Sequence, residues 1–331
     1  MKRFFILLTT VFFFISAISF AEEAVLIDFS KLAADYPEQD PKENARTLVD
    51  YSDKAGTSYS DAEKAEMKTS IALNNWDVVL ASSSRRVINQ ALSMTKEVPV
   101  IAEAKKYAGE KVIGIRIHFP DESFNSWALI KPPFEIPAYM KKTNIEGDGK
   151  LVEDETDRYG SKFIDGYGVV KNVGVIKSLS MNVYGSNFPN GLEVILKDQN
   201  NEEKAIFMDY LNFEGWRTIT WKNPNYITEV RNRDVYQTPL YPKATPMVKL
   251  AGVRILKDAS QEGGDIITYI KDISVVYDKA VLTIERDVDE EAIWGILKER
   301  EESRRTAEFE RLGQQQVLRY LEQKKMHVDE G

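Results

Sequence analysis

The sequence predicts a mainly β protein: an antiparallel jelly roll or β-sandwich, similar to carbohydrate-binding modules, with a short N-terminal helix and a long charged C-terminal helix. Three observations predict this fold. Apolar residues alternate with a period of two in short runs, turn-forming residues separate the runs, and the C-terminal segment is charged and free of proline. No helical periodicity separates the strands between Val169 and Tyr277, which argues against a doubly wound parallel sheet.

The composition excludes several classes of function. The chain has 331 residues, of which 52 are acidic, 44 are basic, two are histidines and none is cysteine. The lack of cysteine excludes disulfides, cysteine zinc sites, iron–sulfur clusters and thiol nucleophiles. Two histidines are too few for a histidine-rich metal site, and a net charge of −8 argues against nucleic-acid binding. We therefore expect no metal, no cofactor and no nucleic-acid partner.

The first segment, Met1–Ala21, is predicted to be a cleaved signal peptide. Lys2 and Arg3 are followed by an uncharged apolar run, and small residues lie at positions −3 and −1 of a cut before Glu22. A membrane anchor is the alternative, because the run approaches the roughly 18–20 residues that a span requires. Cleavage would leave an exported chain with no further spanning segment.

Strands are predicted along the mature chain wherever apolar residues alternate. The predicted runs are Val25–Phe29, Trp76–Leu80, Lys111–Phe119, Val175–Tyr184, Leu192–Leu196, Ile206–Tyr210, Gly215–Trp221, Val248–Leu256 and Ile266–Tyr277. Trp216 and Trp221 are an odd number of positions apart on one strand. One of them is therefore expected in the core and the other at the surface.

Two segments are predicted to be helical. Ser60 and Glu63 form a capping box that opens a short helix toward Leu73. The segment from Asp287 to Lys325 is predicted to be one long helix that bends at Gly313, because it is rich in helix-forming residues. The predicted domains are thus the signal peptide at 1–21, the sandwich at 22–284 and the helix with its tail at 285–331.

Charged residues predict one ion pair in the C-terminal helix and one exposed loop. A favourable pair is expected between Glu301 and Arg305, one helical turn apart. The stretch Lys141–Arg158 contains glycine and many charged residues, which predicts a long exposed loop.

No arrangement of residues points to catalysis. A serine nucleophile among residues 82–84 would need His118 as its base, but His118 shares a strand face with Arg116, which predicts a solvent-facing histidine. A glycosidase is an open alternative, because it would use a pair of carboxylates such as those among Glu193, Asp209 and Glu214. Acidic residues are, however, common in half-solvated sheets. Acidic residues of the Lys141–Arg158 loop offer oxygen ligands for a calcium ion, but they fit no EF-hand spacing, which favours a solvated loop. We expect a protein that is not an enzyme.

Aromatic and apolar side chains are the candidate contacts with a partner or ligand. The stretch Asp121–Tyr139 combines aromatics with prolines, so its rings either form an exposed rim or close one end of the core. The C-terminal helix either meets a neighbour in an assembly or rests on its own domain through Trp294. The candidate contacts are Phe124, Trp127, Phe134, Tyr139, Trp216, Trp294, Phe309, Leu312 and Tyr320.

Five segments carry a resemblance to a known family. They are Val25–Phe29, Asn75–Leu80, Val112–Pro120, Trp127–Tyr139 and Gly174–Gly185. In their order along an exported, cysteine-free chain, they resemble the outer-layer (sheath) proteins of spirochaete periplasmic flagella, the FlaA family.

This resemblance implies a structural role in the periplasm. The partners it implies are flagellin-like core subunits and other copies or paralogues of the sheath protein, and it brings no catalytic residues. A coat of this kind affects the shape and stiffness of the filament and thereby motility. The alternative function is a periplasmic carbohydrate-binding module that stacks a sugar on Phe124, Trp127 or Trp216.

Overall fold

Antiparallel strands are the main regular elements of the structure, as the alternation predicts. The computed structural model describes residues 21–32, 46–146, 150–157, 160–282 and 287–328. The predicted signal peptide therefore lies outside the described residues, except for Ala21. Among the described residues, no helix is both long and apolar enough to cross a membrane.

Sixteen strands occur in the described residues. The first eight are β1 (Ala21–Asp28), β2 (Val49–Asp50), β3 (Lys68–Thr69), β4 (Asp77–Leu80), β5 (Met94–Pro99), β6 (Lys111–Phe119), β7 (Ser126–Lys131) and β8 (Thr143–Ile145). The others are β9 (Leu151–Glu153), β10 (Val169–Lys171), β11 (Val173–Ser186), β12 (Gly191–Asp198), β13 (Glu203–Tyr210), β14 (Glu214–Lys222), β15 (Met247–Lys257) and β16 (Gly264–Lys279).

Two six-stranded antiparallel sheets form a β-sandwich, which confirms the predicted fold class. The first sheet has the order β14-β11-β16-β6-β5, and β1 also pairs with β16. The second has the order β13-β12-β15-β7-β4, and β10 also pairs with β15. Strands β2 and β3 form a separate pair, as do β8 and β9.

The core lies between the two sheets and follows the predicted alternation. In β11, Leu179, Met181 and Val183 are fully buried, and burying a side chain of this size contributes about 1.5–3 kcal/mol. In β6 the isoleucines face the same core, whereas Arg116 and His118 face outward and both contact Asp265. The solvent-facing histidine is therefore where the sequence predicts it.

The helices are α1 (Asp61–Ala65), α2 (Val87–Leu92), α3 (Tyr226–Val235), α4 (Glu290–Trp294) and α5 (Ile296–Val328). Three turns of 3₁₀-helix occupy Phe29–Lys31, Ser52–Lys54 and Leu73–Asn75. The capping box at Ser60 and Glu63 is present. The prediction that α1 continues to Leu73 is wrong, because Lys68 and Thr69 pair with β2 instead.

The C-terminal segment breaks at a different glycine from the one predicted. Gly295 separates α4 from α5 and adopts a left-handed conformation with φ of 59°, which a glycine tolerates at little cost. Gly313 lies inside the continuous helix α5. A Cβ at Gly313 would lie 2.5 Å from Cγ of Lys54, so this glycine permits close packing.

The predicted loop Lys141–Arg158 is more ordered than its composition suggests. Its described residues contain the β8–β9 pair, in which Thr143 faces Glu153 and Ile145 faces Leu151. Residues 147–149 and 158 lie outside the described residues. The side chains at 154 and 157 bond to nearby backbone N–H groups, which shapes the segment that follows the pair.

Candidate assembly and ligand-contact surfaces

Helix α5 rests on the sandwich through a small apolar contact. The Phe309 ring stacks on the ring of Tyr51 with centroids 5.5 Å apart, and Leu312 is 1% exposed within the core cluster. Gly313 lies beside them and lets the helix backbone approach Tyr51 and Lys54. These contacts anchor a helix whose other surface is mostly charged.

A cluster of charges holds the same helix beside its apolar contact. The Glu135 carboxylate accepts hydrogen bonds from Lys249 at 2.6 Å, from Lys197 at 3.1 Å and from both Nη atoms of Arg311 at 3.0 and 2.9 Å. Lys249 is 1% exposed and also contacts Glu308 of the helix at 3.4 Å. A bidentate arginine–carboxylate pair fixes orientation as well as distance.

The pKa of Glu135 reflects two opposed effects. Partial burial raises the pKa, but the hydrogen bonds from Arg311 and Lys249 outweigh burial and hold the pKa well below its usual range. The carboxylate is therefore charged in the folded protein at neutral pH, and it links the helix to two strands.

Further polar contacts follow the helix along its length. Glu301 lies 3.5 Å from Lys171, and burial raises the pKa of Glu301 and lowers the pKa of Lys171. Arg305 bonds to Glu153 at 3.1 Å, and Arg319 bonds to Asp77 at 2.7 Å. The expected pair within the helix, Glu301 with Arg305, is replaced by these pairs with the sandwich.

Three aromatic residues form a row on the outer face of the first sheet. Trp216, Tyr184 and Tyr269 lie at directly paired positions on β14, β11 and β16. Neighbouring ring centroids are 5.5 and 5.7 Å apart, and the planes meet at 78° and 79°. Trp221 packs against the core instead, so the two tryptophans of β14 face opposite sides as predicted.

The chain is similar to known proteins over nearly its whole length. The family model of the flagellar filament outer layer protein FlaA matches residues 40–286. The flagellar filament outer layer protein of Spirochaeta aurantia is 51% identical over 98% of this chain and 94% of its own length. The chain belongs to the FlaA family of flagellar filament outer layer proteins.

Other relatives support the same family. The flagellar filament outer layer protein of Treponema pallidum (strain Nichols) is 46% identical over 94% of this chain and 91% of its own length. That of Borreliella burgdorferi is 32% identical over 86% of this chain and 82% of its own length. The resemblance carried by the five sequence segments is thereby confirmed.

Solved structures resemble this FlaA-family chain only at the level of a distant fold. TmCBM61, solved with β-1,4-galactotriose, is 9% identical with a TM-score of 0.29 and covers 62% of this chain and 90% of its own. The xylan-binding domain of CBM 22 is 9% identical with a TM-score of 0.25, over 63% of this chain and 91% of its own. Neither likeness bears on function.

The predicted contact residues of this FlaA-family chain fall into different environments. Phe134 and Tyr139 are 5% and 3% exposed, so they belong to the core and not to an exposed rim. Phe124 and Trp127 are half-buried beneath cations, since Nζ of Lys257 lies 5.8 Å from the Phe124 centroid and the guanidinium of Arg254 lies 6.0 Å from that of Trp127.

The helical candidates are also divided. Phe309 and Leu312 contact the sandwich, and the half-buried Tyr320 meets Tyr59 with centroids 6.3 Å apart. Trp294 is 70% exposed, so α5 does not rest on its own domain through this residue, as one interpretation of the sequence expected. The helix rests there through Phe309 and Leu312 instead.

The serine and the histidine considered for catalysis do not bond to each other. The Ser84 hydroxyl is buried against that of Ser126, whereas His118 pairs with Asp265 at 2.9 Å. Glu193 forms an ion pair with Arg254. Within the described ranges, no group of three or more acidic or histidine side chains is placed to hold a metal ion.

Sequence reasoning missed the residues that hold the helix and that complete the aromatic row. Glu135, Lys249 and Arg311 are ordinary surface types in sequence, and no spacing links them. Tyr184 and Tyr269 occupy alternating strand positions, but their proximity to Trp216 depends on strand order and register. Only the pairing of β14, β11 and β16 reveals them.

Proposed function

We propose that this chain is a non-enzymatic structural subunit of the outer layer of a periplasmic flagellar filament. It is exported by the signal peptide Met1–Ala21 and coats a core of flagellin-like subunits together with other copies or paralogues. The observation that carries the proposal is the family membership over nearly the whole chain, at 51% identity to an outer layer protein. The coat affects the shape and stiffness of the filament, and through them motility.

The position of the first strand is compatible with signal cleavage. Strand β1 pairs with β16 from Ala21 facing Asp278 to Asp28 facing Asp272. A cut after Ala21 removes one residue from this ladder and leaves the remaining pairs available. The mature chain would therefore keep β1 in its sheet.

Exposed apolar side chains at two ends of the sandwich support an assembling subunit. Helix α2 is followed by Ser93, whose hydroxyl accepts a hydrogen bond from the backbone N–H of His118 near the end of β6. The helix leaves 90% of Val87 and 64% of Ile88 exposed. In helix α3, the guanidinium of Arg233 donates a hydrogen bond to the backbone carbonyl of Lys279 at the other end of β16. This helix exposes 75% of Val235, and 78% of Tyr236 directly after it.

These two apolar ends lie far apart along one strand. Gly264, at the start of β16, faces Phe119, at the end of β6, so the sixteen residues of β16 separate the ends. At about 3.3 Å per residue the separation is roughly 50 Å. A head-to-tail contact between the α2 end of one subunit and the α3 end of the next would repeat along a row of subunits, which suits a filament coat.

Gene deletion tests the proposed function directly. The deleted strain should assemble periplasmic filaments of smaller diameter and altered curvature in electron micrographs, and an intact copy of the gene should restore both. Filaments of unchanged diameter and curvature would contradict the proposal. Co-purification of the protein with a flagellin-type filament from the intact strain provides the biochemical counterpart.

The carbohydrate-binding alternative loses two of its three proposed platforms. Phe124 and Trp127 lie beneath Lys257 and Arg254 of the same chain, which occupy space near the rings. Trp216 differs from them, because its neighbours on the same sheet face are aromatic.

A further inference from the structure

The aromatic row on the first sheet is followed by a glycine on the next strand. After Trp216, Tyr184 and Tyr269, the next paired residue is Gly114 on β6. A Cβ at Gly114 would lie 3.3 Å from the Tyr269 ring and 2.6 Å from Cγ2 of Val98. The missing side chain therefore gives the Tyr269 ring room to lie over the neighbouring strand.

The loop that joins β5 and β6, at the opposite edge of the sheet from β14, borders the row. Tyr107, between β5 and β6, has a left-handed φ of 58° and contacts Trp216 with ring centroids 4.9 Å apart. Nζ of Lys271 lies 5.8 Å from the Tyr107 centroid and pairs with Asp28 at 3.0 Å and Glu110 at 3.3 Å. The loop thus forms a wall beside the rings, and the charge of Lys271 is neutralised by carboxylates.

A row of polar side chains runs alongside the rings. Thr218, Asn182 and Asp272 are again directly paired across β14, β11 and β16. The Thr218 hydroxyl donates to Oδ1 of Asn182 at 2.5 Å, and Nδ2 of Asn182 donates to Asp272 at 2.7 Å. On β14 and β11, the polar residue lies two positions from the aromatic one and therefore on the same face, roughly 7 Å away.

A pair of hydroxyl groups lies next to this polar row on β11 and β14. Ser180 and Thr220 are paired, and their hydroxyl oxygens are 3.1 Å apart. A protein interface of standard size usually has an apolar centre of several side chains. Here the rings are bordered by amide, carboxylate and hydroxyl groups, which offer donors and acceptors at close spacing.

We propose that this face, defined by Trp216, Tyr184 and Tyr269 with Asn182 and Thr218, binds a neutral oligosaccharide. The C–H surface of a pyranose packs against aromatic side chains, while the ring hydroxyls exchange hydrogen bonds with the adjacent amide and hydroxyl groups. The neutral class follows from the carboxylate of Asp272 beside the rings and from the pairing of Lys271 with carboxylates. The next cation along the row, Lys96, lies two strands beyond Tyr269, opposite Gly114. The site does not depend on the role in a filament.

A glycan array followed by calorimetry tests the site with the purified full-length protein. The array should carry neutral linear oligosaccharides of several linkages, together with uronic-acid and sialylated glycans. We expect binding of at least one neutral glycan, and Trp216→Ala should weaken the measured affinity by about tenfold or more. Trp294→Ala is the matched control, because Trp294 is 70% exposed and lies outside the row, so it should bind as the parent does.

Three outcomes would overturn the proposal. They are the absence of binding to every neutral glycan, preference for acidic glycans, and equal affinity of the Trp216→Ala and Trp294→Ala variants. If Trp216→Ala fails to fold by near-UV circular dichroism, Asn182→Ala replaces it and the same loss of affinity is expected. Unchanged affinity in that variant would contradict the proposed polar contacts.

Discussion

At the scale of single residues, Glu135 determines how the C-terminal helix is held. Its carboxylate joins Lys197 and Lys249 of the second sheet to Arg311 of α5. Lys249 is nearly inaccessible to water, and an unpaired buried charge is far more costly than an exposed one. The cluster therefore couples the charge state of one carboxylate to the docking of a whole helix.

Replacement of this carboxylate should destabilise the protein. We expect Glu135→Gln to lower the free energy of unfolding by about 3 kcal/mol, because Lys249 loses its shorter ion pair while staying buried. Urea unfolding followed by circular dichroism measures the loss. The control is Glu153→Gln, whose 54% exposed carboxylate pairs with Arg305, and its effect should stay within about 1 kcal/mol. Equal effects of both variants would contradict the role of the cluster.

The same cluster predicts a dependence of stability on pH. The pKa of Glu135 is lower in the folded than in the unfolded protein, so its contribution is present above the unfolded pKa of about 4.3 and is lost as pH falls through the folded value. The stability of the parent protein should therefore fall more steeply below about pH 4.3 than that of Glu135→Gln. Parallel unfolding curves for the two proteins across this range would refute the assignment.

At the scale of elements, helix α5 depends on its fit to the sandwich. Its apolar contact is short and centred on Phe309 and Leu312, whereas its ion pairs with the rest of the chain are spread along the helix, at positions that include Glu301 and Arg319. A helix with so little apolar surface gains most of its stability from docking. Gly313 sets how closely the helix can approach Tyr51.

A larger side chain at this glycine should loosen the helix. We expect Gly313→Val to increase hydrogen exchange of the backbone amides of α5, because its Cβ would meet Lys54 at 2.5 and 3.1 Å and Tyr51 at 3.3 Å. The sheets should keep their protection. Ala307→Val, at an exposed position of the same helix, controls for the helix propensity of valine. Faster exchange in both variants alike would indicate a propensity effect and not a packing one.

At the scale of the whole molecule, the sandwich separates two apolar ends by the length of β16. The α2 end exposes Val87 and Ile88, and the α3 end exposes Val235 and Tyr236. Exposed apolar residues that gather at defined places commonly mark interaction surfaces. Their separation along one strand suits repeated contacts between subunits in a row.

A charge at one end should impair assembly without impairing folding. We expect Ile88→Glu to fold normally, since the side chain is 64% exposed, but to be incorporated poorly into filaments. The amount of protein that co-purifies with filaments, relative to the total in the cell, measures incorporation. Leu318→Glu is the control, because Leu318 is 59% exposed and belongs to α5, not to α2 or α3. Full incorporation of Ile88→Glu would exclude the α2 end as a contact.

Local patterns in the sequence are sufficient to specify the fold class and most of the strands. Alternation in β6 and β11 identified the buried faces, because side chains on a strand point alternately to opposite sides. The spacing of Trp216 and Trp221 assigned them to opposite faces, and the capping box located the start of α1. Local patterns suffice for such features, since each depends on residues that are close along the chain.

Features that depend on contacts between distant residues follow only from the packing of the folded chain. Helix α1 does not reach Leu73, because Lys68 and Thr69 pair with β2. Phe134 is buried because its ring packs edge to face against the rings of Tyr51 and Phe163. Glu135 meets Arg311 across 176 positions of sequence. The row of Trp216, Tyr184 and Tyr269 exists only because strand order and register place them side by side. A local pattern specifies which face a side chain occupies, whereas its neighbours on that face are set by the packing of the whole chain.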